Sequence, residues 1–138
     1  MRKLLLTFTL ALASAGVMAE WAAVGINDEF TQYVDFTTVR QTVSRVKMWD
    51  LVDYKTAQES TGKKYLSIKE RYEYDCQEDK YRHLTFSFFG GNMGNGEVVL
   101  STGELGRWIP VEPGTMANIK WKIACDKEAR LRWEYIIP

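Results

Sequence analysis

The residues with the means to do chemistry are few: two cysteines, one histidine, and two carboxylates on rows that are otherwise apolar. Cys76 and Cys125 lie far apart with no C-x-x-C spacing, and His83 is the only histidine, so a redox pair or a metal site lacks its usual company. In an oxidising compartment, two cysteines in a small domain most often pair with each other. The bridge would close a loop of about 50 residues and be worth on the order of 4 kcal/mol by restricting the unfolded chain. His83 has the chemistry of a general base, but no serine or cysteine nucleophile stands at a suggestive spacing. A lone histidine on a polar strand face is more often plain surface. Asp50 and Glu70 face each other if the hairpin joining their strands is centred near Ser60, as the paired carboxylates of a glycosidase do. The plainer account is that Arg82 or a lysine neutralises them, or that they lie at a wet margin of the face. The stretch Gly90 to Gly96 suggests a phosphate-cradling loop. No Lys-Ser or Lys-Thr follows it, and it opens a strand, which favours a flexible hairpin connection. No catalytic residue, metal site or cofactor is therefore expected.

These residues sit on elements that the pattern makes legible. Trp21 to Gly25 and Thr31 to Phe36 read as strands. Val43 to Tyr54 is a third, with Val46, Met48, Val52 and Tyr54 on one face and Trp49 and Leu51 on the other, as in a central strand. In Tyr65 to Cys76 the alternation is clearest, and Cys76 shares a face with Leu66, Ile68, Tyr72 and Tyr74. After the polar turn Gln77, Glu78, Asp79, the chain returns as Lys80 to Phe89. Leu84, Phe86 and Phe88 share one face of this strand; His83, Thr85 and Ser87 take the other. Glu97 to Thr102 and Arg107 to Ile109 complete the strands. Thr115 then caps a short helix to about Cys125, with Met116, Ile119 and Ile123 on one flank and Trp121 beside them. Such a helix is marginal alone and must pack on something. A bridge from Cys125 to Cys76 would staple it to the sheet. The fold class expected is α+β: a multistranded antiparallel sheet with one C-terminal helix tethered to one face by a disulfide. Leu131, Trp133 and Tyr135 alternate with charged residues and suggest an edge strand in the tail.

The chain opens with Arg2 and Lys3, an apolar stretch from Leu4 to Leu12, and small residues up to Ala19. This is the form of a secretory signal peptide, too short and too interrupted to span a bilayer, with cleavage expected after Ala19. No cysteine precedes Cys76 to carry a lipid, so the mature part is expected to be released rather than inserted or lipid-anchored, in the periplasm or at the cell surface. Residues 20–138 are expected to form one domain. Without Arg2 and Lys3, 16 basic residues face 18 acidic ones, a net charge near −2 that argues against nucleic acid as a partner. Among the tryptophans, Trp121 belongs in the core. Trp49 points away from the Val46 and Met48 row and, with His83, is a candidate contact for a protein partner.

Several segments occur in a characteristic order: Phe30-Thr31-Gln32-Tyr33-Val34-Asp35, Trp49-Asp50-Leu51-Val52-Asp53-Tyr54-Lys55, Glu73-Tyr74-Asp75-Cys76, Tyr81-Arg82, and Trp108-Ile109-Pro110-Val111-Glu112-Pro113-Gly114-Thr115. Together, from Trp21 to Cys125, they resemble the surface-adhesin protein E-like family of Gram-negative bacteria. The resemblance implies an antiparallel sheet with a C-terminal helix tied to its concave side, a homodimer, and non-enzymatic binding of host matrix or serum proteins such as vitronectin, laminin and plasminogen. An exposed sheet edge would also favour pairing with a second copy. The alternative reading is a soluble periplasmic structural or stress-related protein that binds an envelope component. An enzyme, the third reading, would need a pocket around Asp50, Glu70 or His83.

Overall fold

The computed structural model describes residues 19–136, so the expected leader falls outside the described residues apart from Ala19. Seven antiparallel strands form one sheet: β1 (Trp21–Ile26), β2 (Phe30–Thr42), β3 (Arg45–Ser60), β4 (Lys63–Asp75), β5 (Lys80–Phe89), β6 (Val98–Thr102) and β7 (Ile109–Pro110). The first six lie side by side in chain order, as successive hairpins dictate. The short β7 pairs with Lys80 and Tyr81 of β5, beyond the stretch that β6 occupies.

The turns set the register at the hairpin ends, and the irregularities beyond them shift it in the middle of the sheet. Ser60 pairs with Lys63 across Thr61 and Gly62, both with positive φ (51° and 76°), the two-residue turn whose twist matches that of its strands. Thr42 pairs with Arg45 across Val43 and Ser44, and here a valine takes the left-handed conformation at φ 49°. At the β4–β5 turn, Asp75 Oδ1 accepts the N–H groups of Gln77 and Glu78 at 3.1 and 3.0 Å. Bulges interrupt every pair of neighbouring long strands, and each adds bend and twist.

One face of this sheet is covered by α1 (Met116–Cys125). Thr115 caps it, its hydroxyl accepting the Asn118 N–H at 3.2 Å. Beneath the helix lie Val24, Val34, Val46, Met48 and Tyr74, closed from above by Ile123 and Ala124. The disulfide between Cys76 and Cys125 ties the end of α1 to the end of β4, and the Trp121 indole N–H donates to the Asp75 carbonyl at 3.1 Å. The expected sheet, helix and staple are all present.

Three expectations need correction. The tail does not add a strand but forms α2 (Lys127–Ile136), because Asp126 Oδ1 accepts the N–H groups of Glu128 and Ala129 and so caps a run of good helix formers. The glycine stretch does connect the hairpin partners β5 and β6, but it is built rather than slack. It folds over the other face of the sheet through a 3-10 turn at Asn92–Gly94, where the Ser67 hydroxyl donates to the Gly91 carbonyl (2.6 Å) and accepts the Gly94 N–H (2.8 Å). Asp53 accepts the Met93 N–H at 2.7 Å, and Leu51 and Ser67 lie fully buried on the face this turn approaches. The third correction concerns β5. Arg71 pairs with Thr85 while Tyr72 pairs with His83, which leaves Leu84 as an extra residue. The bulge turns His83 onto the helix side with Tyr72, and Arg82 onto the open side with Glu73.

Candidate functional site

Asp50 and Glu70 are direct cross-strand partners. The hairpin turns at Thr61 and Gly62 rather than at Ser60, and the irregularity between Asp53 and Gln58 shifts the register by three residues to bring the two carboxylates opposite each other. Asp50 is fully buried, whereas Glu70 is half-buried. Arg82 does not neutralise them, since it is bound to Glu73 at 2.6 Å on the opposite face. The counter-charge comes from the helix: Lys120, itself buried, donates to Asp50 Oδ2 and lies 4.3 Å from the centre of the Tyr72 ring. Lys120 lies on the buried stripe of α1 with Ile123 and Ala124, and the helical spacing 116, 120, 123, 124 made that position readable. A lysine as counter-charge was among the expectations, without the residue being named, and it is this part of the expectation that holds.

The electrostatics follow from burial. Desolvation lifts the Asp50 carboxyl to about 7; Lys120 opposes the rise and Glu70 adds to it. Burial also raises the Tyr72 and Tyr74 hydroxyls, with Glu70 and Asp50 as further causes. Burial pushes His83 down, against the nearby Asp50. Asp50 Oδ1, the Tyr74 hydroxyl and His83 Nε2 are buried without a hydrogen-bond partner among the described residues. Three surface grooves are lined by other residues, and Asp50, Glu70 and His83 line none of the three.

The more accessible feature is aromatic. A chain of rings runs across the strands from Tyr81 to Tyr72, His83, Phe86, Phe88, Tyr65, Tyr54 and Phe30, each centred 4.5–5.8 Å from the next. Every one of them is half-buried; among the described residues Tyr72 and Tyr81 are the rings of this chain that pack against the core under α1, and Met116 at the start of the helix reaches Gly25 of β1 instead. His83 enters this row because of the β5 bulge, which single-sequence periodicity does not reveal. Trp49 lies on the opposite, open face as expected, with the Arg71 guanidinium 5.8 Å from its ring. On the same face the Trp108 ring lies near Arg82 (4.4 Å), Arg45 (5.2 Å) and Lys80 (5.4 Å).

An antiparallel sheet with one helix stapled to one face, cross-strand aromatics beside that helix and cations around tryptophan opposite define an α+β protein whose prominent features are surfaces rather than a pocket. The chain belongs to the surface-adhesin protein E family, whose sequence profile matches residues 21–126. It is similar in fold to protein E of Haemophilus influenzae. Against crystal form II of that protein the TM-score is 0.59 at 11% identity, covering 78% of this chain and 95% of the other. Against protein E from non-typeable Haemophilus influenzae the TM-score is also 0.59 at 11% identity, covering 86% and 96%. Identity this low speaks for the fold alone. No curated protein sequence matches the chain.

Proposed function

We propose that this chain is an exported, non-enzymatic binding module: residues 1–19 direct export and are removed, and residues 20–138 engage a protein partner. The observation that carries the reading is the chain of half-buried rings from Phe86 through Phe88, Tyr65 and Tyr54 to Phe30, beyond the part of the sheet that α1 covers. Aromatic side chains supply large contact area at low entropic cost, and they are enriched among the residues that dominate protein interfaces. The family is one of surface adhesins, which supports a host matrix or serum protein as the partner. Trp49 remains a second candidate contact, on the open face.

The test is surface plasmon resonance of residues 20–138 against immobilised laminin, vitronectin and plasminogen. Saturable binding to at least one is expected. Tyr65→Ala and Phe88→Ala, whose rings lie 4.5 Å apart, should each weaken it about tenfold or more while the protein stays folded. Binding to none, or binding indifferent to both substitutions, would contradict the reading.

A further inference from the structure

The open face carries a feature that the aromatic row does not use. The register places Arg40 beside Lys47, Lys47 beside Glu73, and Glu73 beside Arg82, one row across β2, β3, β4 and β5. The next row is Thr42, Arg45, Asp75 and Lys80. Five cations therefore surround two carboxylates, and both carboxylates are already served. Glu73 is held by Arg82 at 2.6 Å; Asp75 accepts the Gln77 and Glu78 N–H groups, with Arg45 at 3.7 Å. What remains is an excess of three positive charges in a mature chain whose net charge is near −2. Arg40, Arg45 and Lys47 are exposed, and together with Thr42 and Glu73 they line a groove of about 200 Å³.

We infer that this groove is a docking site for a short, acidic, extended segment of a protein. Arg45 and Lys47 stand two residues apart on one strand, which is ~7 Å, the separation of alternate side chains in an extended peptide. A segment with carboxylates at alternate positions, laid along β3, presents one to each, and Arg40 flanks the second from the neighbouring strand. Arginine forks match carboxylates in a bidentate manner, and clusters of them are a recurring means of reading acidic motifs. The Trp108 ring, 5.2 Å from the Arg45 guanidinium and 4.4 Å from that of Arg82, restrains both side chains before a ligand arrives. Glu73 and Asp75 in the middle of the patch disfavour a long, uniformly charged polymer such as nucleic acid or a heavily sulfated glycan, whose charges would have to pass over them.

This site lies on the face opposite the aromatic row, so the two stand or fall separately. The test is fluorescence anisotropy of residues 20–138 with a labelled twelve-residue peptide alternating Glu and Ser, in low salt and in 300 mM NaCl. Saturable binding in low salt, weakened at least tenfold by the added salt, is expected. The double substitution Arg45→Glu/Lys47→Glu should abolish it while circular dichroism still reports the folded sheet, although the new carboxylates opposite Asp75 and Glu73 lower its melting temperature. The control Lys63→Glu/Lys64→Glu makes the same charge change at the exposed β3–β4 turn and should lower affinity no more than threefold. Three results would overturn the inference: no saturable binding in low salt, equal losses in the two double variants, or tighter binding of a heparin oligosaccharide or single-stranded DNA through the same residues. Matrix-protein binding that depends on Tyr65 while this peptide fails to bind would remove the groove and leave the aromatic surface in place.

Discussion

Asp50 is a carboxylate with no exposed surface, its pKa raised from 3.8 to about 7. Its ionised form is disfavoured in the folded chain by burial first, with Glu70 adding to the effect and Lys120 opposing it. A group raised above its unfolded value of 3.8 contributes stability that is fully present below that pH and is lost as pH rises toward 7. The contribution is on the order of a few kcal/mol, and its sign is opposite to that of the lowered Asp75 carboxyl. Between pH 4.5 and 7.5 the melting temperature of the wild type should therefore fall relative to that of Asp50→Asn; parallel curves would mean that Asp50 ionises normally. That Asp50 and Glu70 share a face was legible from the apolar rows on which both stand, but their direct pairing depends on the irregularity between Asp53 and Gln58, which no residue type announces. Lys120 was equally legible from helical spacing but is easily dismissed as a charge on a solvated side. The side of His83 was not legible, because one extra residue in β5 inverts it and no residue type announces that bulge.

At the scale of elements, turns and staples set the energetics. Val43 occupies the left-handed region at φ 49° and is 93% exposed, so its side chain buries nothing in return for the strain. Val43→Asn, which suits a two-residue hairpin turn, should stabilise the protein by about 1 kcal/mol in urea denaturation. The α1 helix is held at three points: the disulfide, the Lys120–Asp50 pair and the Trp121 N–H. Cys76→Ser and Cys125→Ser should each lower stability by similar amounts, up to about 4 kcal/mol, and the double variant by no more than either alone. Additive losses in thermal melts would show that the two thiols do not act as one bond. Strands β1, β4 and β5, the helix and the staple could be read from alternation, a capping threonine and cysteine count. The tail could not, because its alternation of Leu131 with arginines satisfies a strand pattern as well as a helix, and the capping Asp126 decides between them. The order in the glycine stretch was hidden for a different reason: it comes from Ser67 and Asp53 on distant strands.

Taken whole, the molecule devotes one part of its sheet to a core under α1, covers part of the other face with the Asn92–Gly94 turn, and leaves the rest as surface. The ring chain extends beyond the helix on one side; the tryptophan and arginine groups occupy the other. Among the described residues no helix is long and apolar enough to cross a membrane, and the family is one of surface adhesins. The proposed binding module works only where its partner can reach it. The most direct test is protease accessibility of the protein on intact Gram-negative cells producing it, beside cells whose outer membrane has been permeabilised. Degradation on the intact cells is the predicted result. Protection until the membrane is opened would place the protein behind it, and the adhesin reading would then give way to a role in the periplasm.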